Sequence, residues 1–236
     1  MDNSKTAAFV GSMWDESIVP EISDYIRIPN KSPHFDPNWE RNGHMEKAVQ
    51  MLEAWCRTQP IKGMTVEIVR IEGRTPLLFV DIPGQSDDVV LLYGHYDKQP
   101  EFSGWDEDLD PWTPVIKDGK LYGRGGADDG YAVFGSLTAI RALQEQNIPH
   151  SRCVVVIEFS EESGSPDLPA YIDHVLNDLV KPNQAAELIK DDGAIMIWDM
   201  NTGQKLRELR GHVAAVKSVR FSPNGRLLAS GGADTT

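Results

Sequence analysis

The chain has 236 residues, 40% of them hydrophobic, with a net charge of −13; this suits one large domain or two modest ones. Nucleic acid and anionic membranes are excluded as principal partners, because both require a basic footprint. From Gln184 onward seven Lys/Arg meet six Asp/Glu, a net of +1, which leaves 16 against 30, or −14, for the residues before it, so the chain changes character there.

In chain order, residues 1–17 lack the basic start and apolar run of a secretory leader, and nowhere do about 18 apolar residues occur in succession. A cytoplasmic protein without a membrane span is therefore expected. Ser12–Tyr25 and Trp39–Arg57 place apolar residues three and four apart (Ile18, Ile22, Tyr25; Ala48, Met51, Leu52, Trp55), which predicts two helices. Thr65–Ile71 and Pro76–Ile82 read as a hairpin turning at Gly73 and Arg74. Val89–Tyr93 and Val154–Phe159 are apolar runs of the kind found in strands covered on both faces. Between them lie a polar loop, Gln99–Pro114, a hairpin over Val115–Tyr122 around Asp118-Gly119, and a helix over Tyr131–Gln146. Leu168–Val180 reads as one more helix. The pattern predicts an α/β fold, a partial three-layer sandwich with a mostly parallel central sheet. Cys56 and Cys153 lie far apart and predict two small buried hydrophobes, with neither a disulfide framework nor a thiolate metal cluster.

Three segments follow apolar strands or open a helix, where an α/β sheet presents residues to a ligand. In Gly94-His95-Tyr96-Asp97, an extended chain puts His95 and Asp97 on one side, so one can take a metal while the other orients its ring. A structural histidine is the alternative. In Gly123-Arg124-Gly125-Gly126-Ala127-Asp128-Asp129-Gly130, paired carboxylates at a helix start either bridge cations or serve as an N-cap. In Glu161-Glu162-Ser163-Gly164-Ser165, neighbouring carboxylates repel unless a metal takes one; a surface turn is the other reading.

Taken together, Leu91-Leu92-Tyr93-Gly94-His95-Tyr96-Asp97-Lys98-Gln99-Pro100, then Leu121 to Gly130, then Glu161 to Ser165 resemble the co-catalytic zinc exopeptidases and aminoacylases. That family includes carboxypeptidase G, carnosinase-type dipeptidases and succinyl-diaminopimelate desuccinylase. The resemblance spans roughly Ser12–Asn183. It implies that His95 ligates one zinc with Asp97 orienting it, that Asp128 bridges two zincs, and that Glu162 ligates the second. It makes Glu161 the general base that takes a proton from the attacking water and passes it to the leaving amine. Cobalt or manganese could replace zinc. Many members carry Lys before the glycine that follows the bridging acid, where this chain has Asp129-Gly130.

A catalytic zinc takes about three protein ligands, so two zincs sharing one carboxylate need about five; the matched motifs supply His95, Asp128 and Glu162. The resemblance implies a further acid one strand on, a late histidine, and an inserted dimerisation or lid domain. None of these has a matching stretch, so the oligomeric state is left open. Asp191 or Asp192 lies at the right distance for the acid without the strand context, and a turn is the other reading.

The only late histidine, His212, belongs to a different pattern. Asp192 to Gly203, with its Trp198-Asp199 pair, then Gly211-His212, Val216–Phe221 and Ser222-Pro223-Asn224-Gly225 resemble about one blade of a WD-repeat propeller. A short antiparallel segment is expected there. The organisation read from the sequence is thus 1–183 for the peptidase-like part, 184–191 for a junction near Asn183, and 192–236 for the blade-like part. The functional expectation is a metal-dependent hydrolase of small peptides or N-acyl amino acids, its metal site incomplete, with weak or no turnover by this chain alone. The alternative is an inactive fusion or truncated product whose WD-like segment serves a protein partner.

Overall fold

The hairpin read from alternation at 65–82 is present in the computed structural model, which describes residues 1–86, 89–172, 187–189, 194–199, 204–210, 216–221 and 228–232. Two units separate, Met1–Tyr171 and Ile172–Thr236. The first runs through α1 (Asn3–Met13), one π turn (Trp14–Ile18), α2 (Val19–Ile26), the short α3 (Trp39–Asn42) and α4 (His44–Thr58). Then come β1 (Thr65–Val69), β2 (Leu77–Ile82), β3 (Val89–His95), β4 (Val115–Lys117), β5 (Lys120–Tyr122), α5 (Ala132–Glu145), β6 (Arg152–Glu158) and a 3₁₀ turn at Glu161–Ser163.

The first helix begins earlier than its apolar spacing suggests. Asp2 accepts the N–H groups of Ser4 and Lys5 at 3.0 and 3.1 Å, an N-cap that starts α1 although α1 buries no residue. At the β4–β5 turn Asp118 and Gly119 both take positive φ, 53° and 73°, the backbone that a two-residue hairpin needs.

The main sheet has the order β1-β2-β6-β3. The α/β class holds, but the sheet is mostly antiparallel: β1–β2 and β2–β6 are antiparallel and only β3–β6 is parallel. The reason is connectivity, since a tight hairpin can only be antiparallel, whereas β3 reaches β6 through a helical crossover, α5.

The register decides which residues form the core. Leu78, Val80 and Ile82 of β2 lie opposite Ile157, Val155 and Cys153 of β6, on the face packed by α2, α4 and α5. On the other face Leu77, Phe79, Val154 and Val156 are buried as well. A helix begins at residue 168, and the Tyr171 hydroxyl near its start donates to Thr75 O at 2.6 Å and accepts from Ile71 N at 3.1 Å.

Coverage on both faces holds for β6 but not for β3. Val90, Leu91 and Tyr93 are 44%, 51% and 49% exposed. An apolar run therefore does not distinguish a central strand from this one, which has a single strand neighbour, β6, among the described residues. Cys56 and Cys153 are free and buried, and burial pushes the Cys56 thiol up to about 12. Among the described residues no helix is long and apolar enough to cross a membrane.

The second unit contains an antiparallel sheet of β7 (Glu187–Ile189), β8 (Ala194–Asp199) and β9 (Gln204–Arg210), and an antiparallel pair of β10 (Val216–Phe221) and β11 (Leu228–Gly232). β8 to β11 fall within 192–236, the part read as short antiparallel strands, whereas β7 falls within 184–191, the stretch read as a junction. Asn183, Asp191, Asp192 and His212, with the Lys181-Pro182-Asn183 segment, lie outside the described residues.

Candidate metal centre

Parallel pairing of β3 with β6 puts His95 opposite Glu158, so the segments that follow both strands emerge at the same end of the sheet. Gly94 permits this crowding: a Cβ there would lie 2.5 Å from Ala132 Cβ and 2.8 Å from Asp129 Oδ2. The turn before α5 thereby closes over the end of β3.

His95 sits at the centre of the carboxylates. Its Nε2 is 3.2 Å from Asp128 Oδ1 and 3.6 Å from Glu161 Oε2, and its Nδ1 is 3.4 Å from Asp97 Oδ1. The Nδ1 contact is long, and that buried atom has no hydrogen-bond partner. Asp97 is wholly buried and accepts the backbone N–H groups of Glu161 and Glu162 at 3.1 and 3.0 Å. Asp129 accepts His95 N at 3.3 Å, and the Asp128–Asp129 peptide is cis. Gln99 donates to Glu162.

The structure therefore brings together all five residues singled out in the sequence, His95, Asp97, Asp128, Glu161 and Glu162. Single ligand atoms of His95, Glu161 and Glu162 come within 4.8 Å of one another. That trio differs from the expected metal set in holding Glu161 in place of Asp128, whose side chain is 78% exposed.

The electrostatics indicate an unmet need for positive charge. Burial raises the carboxyls of Glu161, Glu162 and Asp129, and neighbouring acids raise them further against the lowering effect of His95. Burial alone would lower the His95 imidazole; Asp97, Glu161 and Asp129 overcome it and raise the group to about 9. Lys98, beside Asp97 in sequence, does not help. Its buried ammonium points to the carbonyls of Tyr25 and Ile28, each at 2.7 Å. A divalent cation fits this set: an imidazole nitrogen, several carboxylate oxygens, and an orphaned Nδ1 beside the acid that would orient the ring.

Sequence reasoning missed Glu158, Tyr93, Ser160, Ser165 and Gln99. Only Glu158 left a signal, as the one charged residue within the apolar run Val154–Phe159. Its carboxyl is raised by burial.

A crossover α/β unit thus carries a histidine and several carboxylates together at its strand ends, a set that could hold a divalent cation. Residues 91–205 match peptidase family M20/M25/M40, and residues 203–236 match the WD domain, G-beta repeat. The chain is 29% identical over 194 residues to an uncharacterized metallohydrolase of Methanocaldococcus jannaschii, covering 79% of this chain and 45% of the relative. It is 31% identical over 155 residues to cysteinylglycine-S-conjugate dipeptidase of Corynebacterium striatum, covering 64% and 32% respectively. A 45-residue stretch is 51% identical to nuclear distribution protein PAC1 of Arthroderma otae, covering 19% of this chain and 10% of that protein. Human carnosine dipeptidase 1 shares the fold with a TM-score of 0.61 at 22% identity, over 74% of this chain and 38% of that one. The chain spans less than half the length of the peptidase relatives it matches. Residues 91–205 are thus similar to peptidase family M20/M25/M40, and residues 203–236 to WD repeats.

Proposed function

We propose that the first unit is the metal-holding part of an amide hydrolase acting on small peptides or N-acyl amino acids. The observation that carries this is the convergence of Asp128 and Glu161 on His95 Nε2, at 3.2 and 3.6 Å, while Asp97 stands behind Nδ1. In this reading His95, Asp128 and Glu162 hold the metal, Asp97 orients His95, and Glu161 is the general base. Zinc is the expected ion, with cobalt or manganese as substitutes. When bound, such an ion polarises the scissile carbonyl and makes water acidic enough to attack near neutral pH.

The chain's own residues do the rest. With a metal on Nε2, Asp97, 3.4 Å from Nδ1, would take the Nδ1 proton as a hydrogen bond and hold the ring in that tautomer. Glu161, part-buried and raised, suits a base that accepts a proton from the attacking water and releases it to the leaving nitrogen. Gln99 steadies the Glu162 carboxylate.

Among the described residues, the three assigned to hold metal fall short of the roughly five that a pair of zincs needs. We therefore assign this chain weak turnover unless further ligands are supplied, by another chain for example. We place the change of family at 184–191. The peptidase match runs to residue 205 and the WD match begins at residue 203, later than this boundary. The second unit serves a protein partner in this reading.

Titrating the purified chain with zinc and cobalt tests the proposal. Binding that is lost in Asp128→Asn supports it. Failure of zinc, cobalt and manganese to bind would overturn it. Dipeptide hydrolysis by the chain alone, abolished in Glu161→Gln, would overturn the assignment of weak turnover and leave the hydrolase reading standing.

A further inference from the structure

Glu158 is a carboxylate where an apolar side chain would serve packing better. It is 2% exposed at the end of β6 and takes no cationic partner among the contacts described. Three hydroxyls converge on it: Tyr93 at 2.5 Å and Ser165 at 2.8 Å on Oε1, and Ser160 at 3.2 Å on Oε2. Burying a carboxylate is costly, and among the described residues this one is stabilised by these hydrogen bonds.

The origin of the three donors is informative. Ser160 and Ser165 bracket the turn that carries Glu161 and Glu162. That turn is closed internally, with Ser163 N and Ser165 N donating to Ser160 O at 3.1 and 3.0 Å, and Gly164 N donating to Glu161 O at 2.7 Å. Tyr93 lies on β3, two residues before His95, and projects from the same face as His95. Its Cα partner is Val156, so it reaches Glu158 diagonally across the β3–β6 pair. One buried side chain thus ties both ends of the carboxylate-bearing turn to the strand that delivers the histidine. Asp97 holds the same turn from the other side through the Glu161 and Glu162 N–H groups.

We propose that Glu158 is a positioning residue: through the hydroxyls of Tyr93, Ser160 and Ser165 it sets the distance between the Glu161–Glu162 turn and His95. The inference rests on the metal-centre reading for its purpose, but its geometry stands without a metal, and the test separates the two.

The test compares wild-type protein with Glu158→Gln and Tyr93→Phe, both metal-free, by amide hydrogen exchange across 160–165, and then measures cobalt affinity from the visible absorption of the bound ion. Glutamine keeps the size and can still accept from Tyr93 and Ser165 on its oxygen, but its amide nitrogen can only donate to Ser160, and the negative charge that strengthens all three bonds is lost. The Ser163, Gly164 and Ser165 amides are expected to exchange about tenfold faster or more while those of β6 stay protected. Cobalt affinity is expected to fall by about 10- to 100-fold, the range seen when outer partners of metal ligands are removed. Unchanged turn exchange in a folded Glu158→Gln variant overturns the proposal. Should that variant fail to fold, Tyr93→Phe decides by the same criterion. If wild-type protein binds neither cobalt, zinc nor manganese, the metal reading falls and the exchange result still decides the role of Glu158.

Discussion

Asp97 accepts the Glu161 backbone N–H at 3.1 Å, so the residue behind the histidine also fixes the backbone of the proposed base. A second N–H, from Glu162, meets the other oxygen of the same carboxylate at 3.0 Å. The side chain is wholly buried, and its loss orphans both donors. Asp97→Ala is expected to destabilise the first unit by about 1 to 3 kcal/mol for each orphaned N–H. Asp97→Asn, which keeps one acceptor oxygen, should cost less stability yet still weaken cobalt binding by about 10- to 100-fold. Denaturant melts and cobalt titrations of the two variants check this; equal metal affinity in wild type and Asp97→Asn would count against an orienting role.

Which carboxylate holds the ion can be decided directly. Asp128 is the ligand in the proposed function, while geometry alone groups Glu161 with His95 and Glu162. Asp128→Asn should abolish measurable cobalt binding and Glu161→Gln should leave it within about tenfold of wild type, because a base need not be a ligand. The reverse order would move Glu161 into the metal set.

The metal-free protein should lose stability as pH rises from about 6.5 to about 9. His95 is raised from its ordinary value of 6.5 to about 9, so its contribution is fully present below the unfolded value and is lost as pH passes through the folded one. The raised Glu161 and Glu162 carboxyls act in the same direction at lower pH, since they too hold their protons longer in the fold. Thermal melts between pH 5 and 9, with and without zinc, read this out. The decline should be shallower in His95→Gln, and saturating zinc should raise the midpoint by mass action.

Lys98 anchors α2 to the segment after β3. Its ammonium donates to Tyr25 O and Ile28 O, and a Cβ on Gly125 would lie 2.5 Å from its Cε. Lys98→Met removes the donors while keeping the stem and should destabilise by about 1 to 3 kcal/mol. Gly125→Ala should also destabilise, because φ is +84° there and the methyl group meets the lysine stem. Melting midpoints of both variants check the pair.

Among the described residues β3 pairs on one side only, and it carries no charge between Val89 and Tyr93, whereas natural edges are usually protected by charge, proline or a bulge. Leu91 is 51% exposed. Self-association through this strand is expected in light scattering and should fall in Leu91→Lys, with stability changed by no more than about 0.5 kcal/mol.

The elements and the site became legible from the sequence to different degrees. Helical spacing at Ala48, Met51, Leu52 and Trp55, the alternation around Val66 and Ile68, and Asp118-Gly119 each encode local geometry, so α4, β1 and the β4–β5 hairpin could be read directly. The five site residues were legible because each lies in a short segment of unusual composition next to an apolar run. By contrast, Glu158 and its three hydroxyl donors belong to separate segments whose meeting no local pattern records.

What the sequence determined by itself is therefore the set of chemical groups, His95, Asp97, Asp128, Glu161 and Glu162, and the helices and hairpins that flank them. Only the tertiary structure decided that β6 runs antiparallel to β2, that β3 is exposed along much of its length, and that Asp97 and Glu158 grip the Glu161–Glu162 turn from two sides. The physical reason is range. Spacing and turn chemistry act over a few residues, whereas strand order, burial and the closure of the Tyr93–Glu158 bond depend on residues 65 apart being brought within hydrogen-bonding distance.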